Sequence, residues 1–170
     1  MTAARAWLGS IAFLLVAPGT VAGIAPWLVG GWRFHSWPGT PIAAPVGATL
    51  VLSGTAVVLH AFVAFATRGV GTPAPVAPPR HLVVSGAYRH VRNPMYVALL
   101  AVIVGQALVF GDLRIAVYGA GVFAAFAGFV HLYEEPTLRR RFGADYARYV
   151  ANVPRWIPRL TPWYPEAEGA

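Results

Sequence analysis

Two short stretches hold most of the residues able to do chemistry. One is Tyr88-Arg89-His90-Val91-Arg92-Asn93-Pro94-Met95-Tyr96, three bases and two tyrosines set directly against an apolar run. The other is His131-Leu132-Tyr133-Glu134-Glu135, two adjacent carboxylates at the end of a second apolar run. A helix mouth at a membrane needs only a charge or two as an anchor, and both stretches carry more. Brought together they would suit a zwitterionic ligand with an aromatic portion: carboxylate to arginine, ammonium to glutamate, ring to tyrosine.

The elements that must position these residues are legible in the charge pattern. The chain has 170 residues, 57% hydrophobic and 11% charged, against about 25% charged in soluble domains. No charge lies between Arg5 and Arg33, Arg33 and Arg68, Arg92 and Asp112, or Arg114 and Glu134. Uncharged apolar runs of about 20 residues cross about 30 Å of hydrocarbon as helices. The expected fold is an all-α integral membrane protein with about four transmembrane helices, over Ala6–Val29, Ile42–Ala66, Pro94–Phe110 and Ile115–Tyr133. It reads as one membrane domain over 1–170: two N-terminal spans in 1–66, a loop over 67–93, a helical hairpin over 94–133 and a C-terminal segment over 134–170. Pro18, Gly19, Gly23 and Pro26 should kink the first span, and its freed carbonyls then need partners. A signal-peptide reading of that span, with Arg5 ahead of an apolar Leu8–Val16, leaves an odd number of spans and is set aside.

Net charge is +7, all of the basic residues other than histidine are arginine, and cysteine is absent. The arginine bias, with abundant Ala, Gly and Pro, suggests a GC-rich bacterial genome. The arginines flank apolar runs, so a cytoplasmic-face bias explains them better than nucleic acid does. With the N-terminus cytoplasmic, that side carries Arg5, then Arg68, Arg80, Arg89 and Arg92, then Arg139, Arg140, Arg141, Arg148, Arg155 and Arg159. The opposite side carries Arg33 and Arg114 alone. The expectation is a multi-pass protein of the inner (cytoplasmic) membrane with both termini cytoplasmic. The 67–93 loop and the C-terminal segment then share one face. Thiolate and disulfide chemistry is excluded, and the five histidines show no HxxxH or HExxH spacing, so no metal site is expected.

On that face, Pro73, Pro75, Pro78 and Pro79 predict an extended linker. Leu82-Val83-Val84 reads as an extended piece, Ser85-Gly86 as a turn and Tyr88–Arg92 as a helical turn, ended by Pro94 at the head of the third span. Pro136 interrupts the helix after the glutamate pair, so a fresh helix is expected there with Glu134 and Glu135 at its favourable N-terminal end. Asp145–Tyr149 followed by Val153–Arg159 predicts an interfacial helix and a proline-locked strap, with Trp156, Trp163 and Tyr164 in the headgroup layer. Gly121, Ala124, Ala125 and Gly128 mark the fourth span for close helix packing. Among polar residues inside spans, His60 and Gln106 are candidates for helix–helix hydrogen bonds or a site.

S-adenosylmethionine is one zwitterion that carries the required groups, with a sulfonium that an aromatic face can hold. Spacing alone does not choose it over a phospholipid headgroup. Leu82-Val83-Val84-Ser85-Gly86-Ala87-Tyr88, Arg92-Asn93-Pro94-Met95-Tyr96, Glu134-Glu135, Phe142-Gly143-Ala144-Asp145-Tyr146 and Val153-Pro154-Arg155, taken in order, resemble the isoprenylcysteine carboxyl methyltransferase and phospholipid methyltransferase superfamily. The resemblance covers roughly residues 80–159. It implies S-adenosylmethionine-dependent methyl transfer at the membrane, with a cytoplasmic-face cofactor pocket formed by the 67–93 loop and the C-terminal helix. Carried over residue by residue, it nominates Arg80, His81, Leu82, Val83, Tyr88, Asn93, Pro94, Met95, Tyr96 and Glu134 for cofactor binding. Arg92, Glu135 and His131 are the candidate catalytic residues, Arg92 orienting the pocket or the cofactor carboxylate and His131 assisting proton removal. Asn93 stands where the family usually has histidine, which leaves hydrogen bonding but no titration at that position. Val130 and His131 stand where the eukaryotic carboxyl methyltransferases place a substrate arginine. The implied acceptor is a lipophilic small molecule entering from the bilayer or an isoprenylcysteine-like carboxylate. A phospholipid amine is the alternative, and a non-catalytic lipid-binding or assembly protein is the alternative of another class. Membrane lipids are the other expected partners.

Overall fold

A computed structural model describes residues 14, 16–68 (backbone only over 64–68) and 82–165. Its first helix is shaped by a proline. Helix α1 spans Thr20–Gly30; Thr20–Ile24 is wound as a π-turn and Ala25–Gly30 is α-helical. Pro26 has no N–H for the carbonyl of Ala22, and in an α-helix its ring would strike that carbonyl. In the wider turn the Ala25 N–H reaches Thr20 O, five residues back. The wider turn takes the Ala25 N–H away from Val21 O, and Pro26 has none to give Ala22 O. Side chains from two later helices meet both: the Tyr118 hydroxyl donates to Val21 O at 2.8 Å and Gln106 Nε2 to Ala22 O at 2.6 Å. Trp32 Nε1 donates to Gln106 Oε1 at 2.9 Å, so this buried amide is used at both ends. The expected demand for partners is met by side chains, because an unmet carbonyl in apolar surroundings is costly. The part of the expected first span before residue 14 lies outside the described residues.

The remaining helices are α2 (Thr40–Arg68), α3 (Pro94–Phe110), α4 (Leu113–Phe129) and α5 (Glu135–Asn152), with a 3₁₀ turn at Gly86–Arg89. All regular structure among the described residues is helical. Among the described residues, two stretches are long and apolar enough to cross a membrane: Thr40–Val63 and Leu113–Asn152. The 24 residues of Thr40–Val63 rise roughly 36 Å at about 1.5 Å each, enough for about 30 Å of hydrocarbon. Helices α1 and α3 are apolar but shorter.

The chain divides into two units, Met1–Pro78 with Met95–Ala124 and Pro79–Pro94 with Ala125–Ala170. In the first, α2 and α3 approach backbone to backbone. A Cβ built on Gly47 would stand 2.5 Å from Gly105 O, and one on Gly105 would stand 2.6 Å from Gly47 O. One turn pair further, a Cβ on Gly54 would stand 2.6 Å from Ala98 O. The close packing expected of the fourth span therefore occurs elsewhere. Gly121 and Gly128 have open space where a Cβ would stand, and Ala124 and Ala125 are exposed. Small residues at helical spacing make a smooth face, but they do not say whether anything covers it. The α3–α4 corner forms as expected: Gly111 takes a φ of 61°, which favours glycine, and the buried Asp112 caps α4 by accepting the Arg114 N–H at 2.9 Å. Arg114 also holds the Asp112 carboxyl below its usual range. Ile103, Ala107 and Ile115 form the core beneath this corner.

In the second unit the chain does not restart at Pro136. The helical path runs on through a π-turn over Val130–Glu134 into α5, with the Glu135 N–H bonded to Val130 O. This is the device of α1 used again two residues before a proline, and it leaves Glu134 and Glu135 inside a continuous winding rather than at a free N-terminus. Tyr88–Arg92 likewise differs from expectation: the regular turn is 3₁₀ and covers Gly86–Arg89. Helix α5 bends at Gly143, whose φ of 46° lies in the left-handed region.

The Gly47–Gly105 approach generates a specific expectation. Gly105→Leu should lower stability by about 2 kcal/mol or more, because overpacking against backbone cannot relax by a rotamer change. Gly121→Leu should leave it within about 0.5 kcal/mol. Thermal unfolding of the two variants in the same detergent checks both.

Candidate active site

The second unit gathers three stretches that are distant in sequence: residues 82–94, the π-turn with α5, and the tail after Asn152. Backbone and side chains join the tail to the first stretch. Arg92 N–H donates to Pro154 O at 2.9 Å, Arg159 N–H to His90 O at 3.0 Å and Trp163 N–H to Arg89 O at 3.0 Å. His90 Nδ1 lies 2.8 Å from Arg159 O, and Asn93 Nδ2 donates to Arg155 O at 3.1 Å. The tail is thus the strap that its prolines predict. The Tyr149 hydroxyl adds a bond from α5 to Tyr88 O at 2.7 Å.

Under the strap lies a small core of Tyr146, Tyr149 and Val153, packed by Leu82, Val84, Leu138, Phe142 and Trp163. Trp163 is half-buried and packs on this core, 6.0 Å from the Tyr149 ring. Tyr164 is exposed, with the Arg89 guanidinium over its ring at 4.4 Å.

One carboxylate ties all three stretches. Glu135 is only 5% exposed. Its Oε1 accepts from Arg92 Nη1 and from Arg155 Nε, both at 2.8 Å. Its Oε2 accepts from Arg155 Nη2 at 2.8 Å, so Arg155 grips the group with both ends of its fork. Two guanidinium charges against one carboxylate leave a positive excess at the cluster. Arg92 Nε is buried and has no hydrogen-bond partner among the described residues. A buried charged donor without a partner carries a desolvation cost that an anionic ligand would relieve.

Tyr88 stands on the 3₁₀ turn of the same unit. Burial first, and the negative charge of Glu134 second, push its pKa up to about 12. Its hydroxyl therefore stays a neutral donor throughout the physiological range, beside a carboxylate and close in sequence to a guanidinium.

The nominated residues are distributed as follows. Tyr88, Arg92, Asn93, Pro94, His131, Glu134 and Glu135 all belong to the second unit. Leu82 packs into its core and Val83 is exposed. His131 is exposed on the π-turn. Pro94 begins α3, and Met95 and Tyr96 follow it in the first turn of that helix, within the first unit. Arg80 and His81 lie outside the described residues. Arg155, Tyr146 and Tyr149 were not nominated, although all three bear on the site. For Arg155 the available signal is its place in Val153-Pro154-Arg155, where a proline sets the backbone just ahead of a long cation.

The unit also holds a cavity of about 670 Å³, lined among others by Leu82, Val84, Asp145, Arg148, Trp163 and Tyr164. That volume is in the range of small-molecule sites, and its lining mixes both charge signs with aromatic and apolar surface.

Described residues whose regular structure is all helical, with apolar helices long enough to span a bilayer and a buried glutamate held by two arginines on one of them, define the class: a membrane protein with a built polar site. The model of the phospholipid methyltransferase family matches residues 42–145, more than half of the chain, and the chain belongs to this family of membrane methyltransferases. The match runs from α2 into α5 and so includes Tyr88, Arg92, Glu134 and Glu135. No curated protein and no solved structure matches the chain.

The raised pKa of Tyr88 has a measurable consequence. A phenol whose pKa is higher in the folded state contributes stability that is present below the unfolded value near 10 and is lost as pH rises through about 12. Stability should therefore fall between these values, and Tyr88→Phe should flatten that part of the profile. Ultraviolet titration of tyrosinate, wild type against Tyr88→Phe, should assign a phenol titrating near the upper value.

Proposed function

We propose that this protein transfers a methyl group from S-adenosylmethionine to a lipophilic acceptor that reaches the site from the bilayer. The observation that carries the reading is the buried Arg92–Glu135–Arg155 cluster, with its unpartnered Arg92 Nε, in a member of a methyltransferase family. S-adenosylmethionine supplies a methyl group on a positively charged sulfur, open to in-line displacement by a nucleophile.

The residues fit such a group. Arg92 keeps Nε for a carboxylate while Nη1 is held by Glu135. Glu134 supplies a carboxylate for the ammonium, and Tyr88 supplies a neutral hydroxyl donor. Leu82, Val83, Asn93, Pro94, Met95 and Tyr96, with Arg80 and His81, complete the proposed enclosure. In this reading Glu135 acts on the reaction by fixing Arg92, and the chain's main contribution is alignment of donor and acceptor with exclusion of water.

The same reading arranges the protein in the bilayer. Helices α1 and α3 join the two longer ones as spans, giving four. Both termini and the 67–93 loop lie on the cytoplasmic face of the inner membrane, where eleven arginines gather against two on the other side. A phospholipid amine is the second acceptor class, favoured by the carboxylate of Glu134 at the site.

Calorimetric titration of S-adenosylmethionine into purified protein in nanodiscs is the test. Saturable binding is expected, weakened about tenfold or more by Glu134→Gln or Tyr96→Ala, a loss of about 1.4 kcal/mol each. Leu160→Ser, at a side chain 97% exposed, should leave it unchanged. Absence of binding at millimolar cofactor would sink the enzymatic reading and leave a lipid-binding or assembly role.

A further inference from the structure

The described arginines of the second unit fall into two groups. Five are tied to carboxylates or carbonyls of the chain itself. Arg92 and Arg155 hold Glu135, Arg148 holds Asp145 at 2.7 Å, Arg89 donates to Val84 O and Arg159 to Asn152 O. The consecutive Arg139, Arg140 and Arg141 are engaged differently. The guanidinium of Arg139 lies over the Tyr146 ring at 5.9 Å and that of Arg141 over the Phe142 ring at 5.7 Å, and Arg140 Nη2 is 3.4 Å from the Thr137 hydroxyl oxygen. All three side chains are exposed. A guanidinium has five N–H donors in one plane, and contact with a ring face leaves its edge open to an acceptor outside the chain.

Position gives that acceptor a chemistry. Leu113–Asn152 is one helical path that contains a window apolar enough to cross a membrane. The uncharged run of that path ends at Leu132 and Tyr133, both exposed. At about 1.5 Å per residue, the three arginines stand roughly 9 to 12 Å further along the winding. A headgroup layer fills about 5 to 8 Å on each side of the hydrocarbon, and an arginine stem can reach back along the helix to place its charge there. Arg140 leans that way, toward Thr137. Phosphate oxygens are the acceptors at this depth, and the guanidinium fork matches them two at a time.

Two observations favour a lipid surface over nucleic acid. The strap is pinned by backbone bonds at Pro154, Arg159 and Trp163, and between the pins it holds Ile157 and Leu160 outward, 79% and 97% exposed. Nucleic acid would leave both in water, whereas a bilayer interface takes cationic and apolar groups together. The described residues of the unit also set eight arginines against three carboxylates, Glu134, Glu135 and Asp145. That excess selects an anionic leaflet over a zwitterionic one.

We infer that Arg139, Arg140 and Arg141 form a belt on α5 that binds the headgroups of anionic phospholipids. The inference rests on the membrane placement in the proposed reading and is independent of methyl transfer.

Native mass spectrometry of the full chain, titrated in detergent with dioleoylphosphatidylglycerol or dioleoylphosphatidylcholine, is the test. Both lipids carry a phosphate and the same tails, so their ratio reports net headgroup charge. The wild type should bind the glycerol lipid at least fivefold more tightly. Combined Arg139→Gln, Arg140→Gln and Arg141→Gln should bring the ratio below twofold, with calorimetric S-adenosylmethionine affinity unchanged within twofold. The three corresponding changes to lysine should keep most of the preference, and so should Arg33→Gln at an arginine of the first unit. Equal binding of the two lipids by the wild type, or an undiminished ratio in the triple glutamine variant, overturns the inference. So does binding of a labelled single-stranded oligonucleotide that needs the three arginines while the lipid preference does not. Failure of cofactor binding in the wild type overturns the methyltransferase reading instead and leaves the lipid result standing.

Discussion

The second unit depends on one buried carboxylate shared by two guanidinium groups. Glu135 joins Arg92, from the stretch before α3, to Arg155, from the strap beyond α5. Burying Glu135 and most of Arg92 is expensive, several kcal/mol per ion even after relaxation, whereas the Arg155 side chain stays 35% exposed. The recovery comes from geometry: both carboxylate oxygens are used and the contacts are 2.8 Å. Such a cluster adds little net stability over a well-packed apolar one, but removing one member is costly because the others stay buried and unpaired. Its contribution is specificity of arrangement. It sets the position of Arg92, and the backbone bonds from Arg92, Arg159 and Trp163 repeat the same alignment along the strap.

Prolines supply the second organising constraint. Both Pro26 and Pro136 sit two residues past the end of a π-turn, where the wider winding removes the clash with the carbonyl four residues back. Each turn takes the usual α-helical donors from two carbonyls. In the first unit that demand becomes cross-helix structure, through Gln106 and Tyr118.

Much of this was legible in the residues themselves. Pro94 and Gly111 delimit α3 at the expected bounds because a proline can open a helix and a glycine can take the positive φ that follows one. The demand created by Pro26 was legible too, though not that Gln106 and Tyr118 would meet it, since that depends on which helices lie adjacent. The small residues of α4 were misassigned for the same reason: the covered glycines are Gly47, Gly54 and Gly105. Trp163 was read from its type as an interfacial residue, and its packing beside Tyr149, set by a backbone bond to Arg89, depends on a contact between distant stretches. The glutamate pair was recognised as unusual, but the division between a clamped Glu135 and the adjoining Glu134 needed Arg155, sixty-odd places from Arg92 in the chain.

In the proposed methyl transfer, Glu135 serves by holding Arg92 in place for the methyl donor. Calorimetric titration of S-adenosylmethionine into Glu135→Gln protein that remains monodisperse in nanodiscs tests it directly. The account predicts a fall in affinity of tenfold or more, because an amide cannot neutralise two guanidinium groups and Arg92 loses its fixed position. Wild-type affinity in that variant would contradict it.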